Sequence, residues 1–348
     1  MRRALGQSDS GAALITVLLL VATMSAVAVT LTFMLTNSLQ RSIALGVQAQ
    51  MRVYVAAAED IAETRLTDLM AQFEGRLLAS MPGLAAPIEV PMPEGRLQIR
   101  VRDYSNCFDV NQLYTPPSEN RLVVAGPSMA DDETGNDGEQ DLASARDDLI
   151  SILQASELDP NLAEELVAGI IDWMDSDLSS QPGGAEDSYY STLIPPYRTS
   201  GLPLEFDSEL SAIRGFDPVQ RDVLRSVLCA IPPHAERELR KVNINTLSIE
   251  QAARLTPIFS DELAIDELRD IIASRPVGGW VDLIDFFASP SVSALNPELI
   301  RRDELATVSS YVVISTKIAY REYARVDDIL FETLPGQPVR VLRRERTS

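Results

Sequence analysis

The chain has 348 residues, which suggests about two to three domains, and its 45% hydrophobic and 23% charged residues are typical of a folded protein. Thirty Lys and Arg against 51 Asp and Glu leave a net charge of −21, which argues against a protein that binds nucleic acid through clustered cations. With one histidine, His234, and two cysteines, zinc sites of the Cys and His type are excluded, and a Ser-His-Asp triad could be built only on His234.

A long uncharged segment comes first in the chain. Residues 12–35, AALITVLLLVATMSAVAVTLTFML, contain no charged side chain. At about 1.5 Å per residue, a helix of this length spans roughly 36 Å, more than a hydrocarbon layer of about 30 Å. The apolar core of a secretory signal is shorter, about 7–15 residues, and ends at a cleavage site with small residues. The segment therefore predicts a membrane-spanning helix, for which a simple uncleaved anchor is the plainest interpretation.

The helical pattern continues beyond this segment. Apolar residues recur at spacings of three and four along one stripe: Ile43, Val47, Met51, Tyr54, Ala58, Ile61, and further on Leu69 and Phe73. Pro82 and Gly83 are expected to stop the helix. One helix is thus predicted to begin in the membrane and to continue into solvent, where it forms the spine of a globular domain.

Together with the polar segment MRRALGQSDSG before it, this helix resembles the N terminus of type IV pilins and type II secretion pseudopilins. The resemblance implies that residues 1–11 are a leader that the prepilin peptidase cuts after Gly11, and that Ala12 becomes the methylated amino terminus. Most of these proteins carry a glutamate at the fifth residue of the mature chain, thought to pair with the amino terminus of the neighbouring subunit. Here that residue is Thr16, a departure that points to the K-type minor pseudopilin, which ends the filament.

The remainder predicts an α+β plan interrupted by an insert. Residues 87–105 indicate two short strands around a Pro-Glu-Gly turn, and three further β-type runs lie at 309–320, 322–332 and 339–346. The interruption, residues 116–305, has mainly helical patterns. Its candidate helices lie near 142–156, 160–174, 217–230, 248–256, 261–274, 280–288 and 297–303.

Sequence blocks along most of the chain resemble the K family of type II secretion pseudopilins. They are CFDVNQLY (107–114), IIDWMDSD (170–177), GGAEDSYY (183–190), PPYR (195–198), LCAIP (228–232), KVNINTL (241–247) and the segment 271–287. The resemblance implies a pilin-like long N-terminal helix packed on an antiparallel sheet, with a large all-helical domain inserted into the sheet. The expected domains are a leader (1–11), a transmembrane part (12–35), the first part of the pseudopilin domain (36–115), the insert (116–305) and the C-terminal strands (306–348).

The same resemblance implies a structural role and no catalytic residue. The protein is expected to lie at the tip of the pseudopilus, where it assembles with the minor pseudopilins I and J and initiates or caps the filament for export across the outer membrane. The major pseudopilin and the prepilin peptidase are further expected partners. The expected location is the inner membrane, with a single span and the globular domain in the periplasm.

The middle of the chain is strongly acidic. Residues 122–197 contain seventeen Asp and Glu and one cation, Arg146. Five acids fall within sixteen residues: Asp172, Asp175, Asp177, Glu186 and Asp187. Carboxylates this close repel one another unless they are exposed or bind a hard cation, and calcium accepts irregular oxygen ligands. A solvated acidic loop is the alternative, but the resemblance to a calcium-binding family favours a calcium site. The run 131–141 is expected to be a mobile surface loop.

Two cysteines, Cys107 and Cys229, are expected to form a disulfide, because the resemblance places the soluble part outside the cytoplasm. The bond would join the insert to the sheet. Two buried, unpaired thiols are the alternative.

Two other classes of function compete with the structural role. Residues 242–286 resemble the helix-hairpin-helix segment of DNA-uptake receptors, which would make the chain a membrane-anchored periplasmic DNA-binding protein. The hairpin here lacks glycine and carries Asp261 and Glu262 where a phosphate would approach, which argues against DNA binding. A glycosidase could use paired carboxylates, but these acids lie in loops rich in glycine and proline, and no aromatic cleft is evident.

Overall fold

A single long helix, α1, begins at Ser10 and ends at Gln72. The computed structural model describes residues 10–116, 137–216, 221–235, 240–334 and 336–347. These residues divide into two units, with the boundary between Ala57 and Ala58 inside α1. Every side chain from residue 13 to residue 35 is exposed, and the helix is long and apolar enough to cross a membrane.

The threonines of the apolar part of α1 bond to the helix itself. The Thr16 hydroxyl donates to the carbonyl of Ala13 at 2.8 Å, and Thr23 donates to Leu20 at 2.9 Å. Thr30, Thr32 and Thr36 donate in the same way to carbonyls three or four residues earlier. An unpaired hydroxyl in hydrocarbon is costly, so this arrangement makes the threonines compatible with a membrane-spanning helix.

The end of α1 lies ten residues before the predicted stop. Glu74 and Gly75 have φ angles of 53° and 81°, and the Gly75 amide donates to the carbonyl of Met70 at 2.8 Å. This is a glycine-based helix cap, in which the backbone turns into the left-handed region. The prediction that Pro82 and Gly83 stop the helix was therefore wrong, and Gly75 was the signal for the end.

A five-stranded antiparallel sheet follows α1, with its strands in the order β1-β2-β7-β8-β9. The nine strands of the described residues are β1 (Ile88–Met92), β2 (Gly95–Asp103), β3 (Phe108–Asp109), β4 (Leu228–Cys229), β5 (Val242–Asn243), β6 (Leu305–Ala306), β7 (Tyr311–Tyr320), β8 (Tyr323–Glu332) and β9 (Arg340–Arg346). The short strands form two parallel pairs outside the main sheet, β3 with β4 and β5 with β6.

The last part of α1 packs on one face of the sheet. Side chains spaced by four residues along the helix are buried against the central strands β7 and β8; they are Ala62, Leu66 and Met70 on α1 and Val312, Ile314, Ile329 and Phe331 on the sheet. Ile61, which the sequence placed on the buried stripe, is 50% exposed. In this part of the helix, the buried positions are thus displaced by one residue from the predicted stripe, with Ala62 buried instead of Ile61.

The polypeptide between β2 and β7 forms the insert. Its α-helices are α2 (Asp137–Ala155), α3 (Pro160–Met174), α4 (Asp187–Tyr190), α5 (Arg221–Val227), α6 (Ile265–Ala273) and α7 (Leu283–Ala288). They enclose two separate hydrophobic clusters, one around Leu149 and Leu166 and another around Leu255 and Trp280. The predicted fold, a long helix on an antiparallel sheet with a helical insert, is confirmed, and the two parallel strand pairs add to it.

Several boundaries in the insert differ from the predicted ones. Helix α2 begins at Asp137, so residues 137–141 of the expected acidic loop are helical, while residues 131–136 lie outside the described part. Residues 249–255, expected to be an α-helix, form a tighter 3-10 helix. Phe108, Val110 and Leu113, which precede the expected start of the insert at residue 116, pack in its first hydrophobic cluster.

A network of buried polar side chains joins the sheet to the insert at Asp103, the last residue of β2. The Asp103 carboxylate accepts hydrogen bonds from the side chains of Asn243 at 2.9 Å, Thr246 at 2.5 Å and Ser309 at 2.6 Å. It also accepts from the Ser105 amide at 3.0 Å. The Asp103 carboxylate therefore connects the segment where the chain leaves the sheet, after β2, to the segment where it returns, before β7.

A second set of bonds lies just beyond Asp103. Cys107 and Cys229 are joined by a disulfide, with their Cα atoms 5.7 Å apart. Asp109 is buried, pairs with the buried Arg240, and accepts from the Ile231 amide at 3.0 Å. Covalent and ionic bonds thus connect the entry of the insert to its middle, 122 residues further along the chain.

Replacement of Asp103 tests the contribution of this junction. We expect Asp103→Ala to lower the free energy of unfolding by about 3 kcal/mol, because three buried side-chain donors lose their acceptor. Urea denaturation of a fragment beginning at residue 36 measures this change. Asp68→Ala, which removes an exposed carboxylate from α1, is the control and should change stability by less than about 0.5 kcal/mol. Equal effects of the two variants would contradict the assignment.

Candidate metal centre

The end of α3 and the start of α4 bring acidic residues together. Asp172 lies in the last turn of α3, and Asp175 is the residue that caps this helix, with its amide donating to the carbonyl of Ile171. The chain then forms a loop and returns at Glu186, the residue before α4. Two helix ends connected by a short loop therefore position three carboxylates.

These three carboxylates converge on one point. One oxygen each from Asp172, Asp175 and Glu186 lies within 4.8 Å of the other two. Asp172 is fully buried and Glu186 is 2% exposed. Asp172 accepts from the Gln181 amide at 3.1 Å and from the Ser180 hydroxyl at 3.1 Å. The loop thus holds the Asp172 side chain by hydrogen bonds, and the carboxylates of Asp175 and Glu186 lie close to it.

The other two carboxylates have buried oxygens without a hydrogen-bond donor. Both oxygens of Glu186 and Oδ1 of Asp175 are buried without a hydrogen-bond partner. Burial raises the pKa of Asp175 to about 6 and that of Glu186 to about 7, and repulsion from the neighbouring carboxylates adds to both shifts. Burial also raises the pKa of Asp172. In the absence of a cation, the charged form of this cluster is therefore unfavourable.

The donor set fits a hard divalent cation. Oxygens this close suit calcium, which prefers carboxylate oxygens and completes its coordination with carbonyls and water. Asp175 and Glu186 carry buried oxygens without a hydrogen-bond partner, and none of the three carboxylates forms an ion pair within the described part of the chain, so a cation would supply the missing positive charge. Asp172, Asp175 and Glu186 are the residues that would hold it.

The two other predicted ligands lie outside this group of three. Asp177 is exposed, and its carboxylate accepts from the Ser179 amide at 2.6 Å. Asp187 accepts from the amide of Thr199 at 3.0 Å and from its hydroxyl at 3.2 Å, and pairs with Arg198 at 3.7 Å. The charge of Asp177 repels the carboxylates of Asp175 and Glu186. Asp187 instead holds the loop that follows α4 through its hydrogen bonds to Thr199.

Two glycines allow the loop to pass close to α3. A Cβ atom on Gly184 would lie 2.1 Å from Oδ2 of Asp172, and one on Gly183, whose φ is 87°, would lie 2.9 Å from the side chain of Glu165. Side chains at these positions would collide with the Asp172 carboxylate or with the helix. The Pro-Gly-Gly turn is thus a requirement of the site as well as a turn signal.

Aromatic side chains from the same segments pack against one another, which the sequence did not predict. Trp173 and Tyr190 pack edge to face with ring centroids 5.2 Å apart, and Tyr197 lies 5.2 Å from Tyr190. Arg214 lies over the Tyr189 ring, and its side chain donates to the carbonyl of Gly184 at 3.0 Å. The sequence signal was present in the blocks DSYY and PPYR, which flank the acidic residues.

The other predicted site residues are separate from this cluster. The backbone of Gly11 and Ala12 is in α1, and the leader residues 1–9 lie outside the described part of the chain. The hairpin compared with DNA-binding proteins contains Asp261, whose carboxylate accepts from the Ser151 hydroxyl at 2.6 Å. Asp261 therefore bonds to helix α2 of the insert.

Comparison with known proteins identifies the family. Two family sequence models, both described as type II secretion system (T2SS), protein K, match residues 106–233 and 242–308, together more than half of the chain. The chain belongs to the type II secretion system protein K family. The first matched segment includes the three clustered carboxylates and both cysteines.

Relatives and a solved structure agree with this membership. The type II secretion system protein K of Aeromonas hydrophila is 30% identical over 273 residues, 78% of this chain and 77% of that protein. The protein K of Pectobacterium carotovorum is 26% identical and covers 96% of this chain and 95% of its own. A chain of the GspK-GspI-GspJ complex from enterotoxigenic Escherichia coli is 24% identical with a TM-score of 0.67, covering 88% of this chain and 99% of that one.

The predicted role as a minor pseudopilin of type II secretion is thereby confirmed. The relationships give no support to the DNA-binding alternative.

Calcium should stabilise the protein if the cluster binds it. Saturating calcium at pH 7.5 is expected to raise the Tm of the fragment beginning at residue 36 by roughly 5–10 °C, because a ligand held only by the folded state stabilises it. Differential scanning calorimetry with calcium and with a chelator measures the shift. Glu186→Gln and Asp175→Asn should abolish it.

Two controls separate the three clustered carboxylates from their neighbours. Glu164→Gln removes an exposed charge from the same helix as Asp172 and should leave the calcium shift intact. Asp177→Ala should keep at least half of it. A wild-type protein whose Tm is the same with calcium and chelator would contradict the metal centre.

The metal-free protein should lose stability as the pH rises from about 5 to 8. The pKa values of Asp175 and Glu186 are raised to about 6 and 7, so the folded state holds more protons than the unfolded state in this range. The expected loss is on the order of 2 kcal/mol. Urea denaturation at several pH values in chelator measures it. Glu186→Gln should flatten the profile, whereas an unchanged slope in this variant would refute the assignment.

Proposed function

We propose that this protein is the tip subunit of the type II secretion pseudopilus and assembles there with the minor pseudopilins I and J. The observation that carries the proposal is the shared fold, including the insert, with a protein crystallised as the GspK-GspI-GspJ complex. That chain is matched over 99% of its length, so the likeness extends to both the sheet and the insert.

The first part of α1 supports membrane anchoring. Its side chains from residue 13 to residue 35 are uncharged and exposed, as a single membrane span requires. We propose the inner membrane as the location, with the globular domain in the periplasm and the leader removed after Gly11. The mass of the purified full-length protein tests the cleavage, because processing would leave a methylated Ala12 as its first residue.

Thr16 supports a place at the end of the filament. Its hydroxyl is satisfied by the Ala13 carbonyl and carries no charge, so it offers nothing to the positive amino terminus of a neighbouring subunit. A glutamate at this point would need such a partner in an apolar bundle. Thr16 therefore fits a subunit that ends a stack better than one that continues it.

Calcium would have a structural role in this protein. The three clustered carboxylates join the end of α3 to the start of α4, and the ion would supply the positive charge that these buried groups lack. Asp172 would keep its bonds to Gln181 and Ser180, which orient the loop. The expected consequence is a rigid insert, consistent with a role in assembly.

The part of α1 outside the apolar span presents apolar side chains that can pack on partner helices. Ile43, Val53 and Ile61 are 55%, 60% and 50% exposed. Residues at this spacing form an apolar face that fits the neighbouring helices of a filament. Some side chains of the predicted stripe are thus buried within this subunit, whereas others are exposed and can contact partner subunits.

Assembly can be tested with soluble fragments. We expect the fragment beginning at residue 36 to form a stable ternary complex with the corresponding I and J fragments in size-exclusion chromatography. Val53→Glu combined with Ile61→Glu should weaken the complex at least tenfold, because charges replace exposed apolar contacts. Ile249→Glu, a change at a 48% exposed isoleucine of the insert, is the matched control. A wild-type fragment that elutes alone with both partners present would contradict the proposal.

A further inference from the structure

A cleft at the junction of the sheet and the insert is lined by arginines. It has a volume of about 510 Å³ and lies between the end of β2, the end of α5 and residues 246–251. Arg100 and Arg102 come from the strand, and Arg225 comes from the last turn of α5. Elements that are more than 100 residues apart in sequence thus bring three guanidinium groups to one concave surface.

Two of these arginines are available for a partner. Arg100 and Arg225 are exposed, and neither forms an ion pair within the part of the chain that the structure describes. Arg102 pairs with Asp328 at 3.4 Å, but its side chain is 43% exposed. Such a group of cations is unusual in a chain with a net charge of −21, where acids outnumber bases by 51 to 30.

The two acids of the cleft are engaged elsewhere. The Asp103 carboxylate already accepts from Asn243, Thr246 and Ser309. The Glu250 carboxylate is held by its own backbone amide and by the Ser248 hydroxyl, which lower its pKa. Neither carboxylate forms an ion pair with these arginines within the part of the chain that the structure describes, so the cleft presents three guanidinium groups beside two carboxylates.

We propose that this cleft binds a carboxylate-rich segment of a partner protein. A guanidinium group binds a carboxylate through two parallel hydrogen bonds, and two unpaired arginines that face one cavity can hold two acidic side chains of an extended segment. The cavity volume lies in the range of sites that enclose a ligand. A long polyanion such as nucleic acid would be repelled by the rest of this acidic chain, whereas a short acidic segment reaches only the cleft.

This inference does not depend on assembly with I and J, because the cleft is formed by this chain alone. It goes beyond the metal centre as well, since none of the three clustered carboxylates lines the cleft.

The test uses the full-length protein in a nonionic detergent and a fluorescein-labelled peptide of ten glutamates. Fluorescence anisotropy in chelator, at low salt, should show saturable binding. Arg100→Gln combined with Arg225→Gln should weaken it at least tenfold. Arg96→Gln is the matched control, because Arg96 is exposed on the same face of β2 but outside the cleft, and it should change the affinity less than twofold.

Competition identifies the ligand class. Unlabelled glutamate peptide should displace the probe, whereas inorganic phosphate and vesicles containing anionic phospholipid, at equal charge concentration, should displace it at least tenfold less well. Equal displacement by phosphate or by vesicles would overturn the assignment to a protein segment. If binding is not saturable, or if Arg96→Gln lowers the affinity as much as the double variant does, the assignment of the binding site to the cleft is wrong. Thermal unfolding of each variant confirms that it is folded.

Discussion

One buried carboxylate, that of Asp103, determines how a large insert can be built into a small sheet. Splitting a sheet between β2 and β7 leaves backbone and side-chain polar groups at the point where the chain departs and returns, and these need partners away from water. Asp103 supplies acceptors to Asn243, Thr246 and Ser309 at once. The disulfide and the buried Asp109–Arg240 pair then hold the neighbouring segments, so the sheet and the insert meet in a defined way.

The junction also creates a concave surface beside the sheet. The arginine cleft exists only because β2 and α5 are brought together there. The candidate metal centre, in contrast, is local: two helix ends and a Pro-Gly-Gly turn suffice to gather its three carboxylates. Its buried, unpaired oxygens cost stability without a cation, which is why the folded insert and a bound ion would stabilise each other.

Membrane anchoring and assembly are divided along α1 by simple chemistry. In the apolar part, hydroxyls bond back to the helix and no charge is present. In the last turns, small and apolar residues alternate with acids, so that one stripe packs on the sheet while Ile61 stays exposed. A single helix therefore combines a segment apolar enough to cross a membrane with a stripe that packs on the sheet of its own domain.

The amino-acid sequence alone determined the long apolar helix, the five strands of the main sheet and the bounds of α3, because these follow from local periodicity, alternation and the Asp159-Pro160 start. It also located the acidic cluster, but not which acids converge. Asp172, Asp175 and Glu186 point to one centre, while Asp177 and Asp187 turn to nearby amides. Only the tertiary structure decided this, as it decided the junction and the cleft, because each depends on side chains that are distant in sequence and meet only after packing.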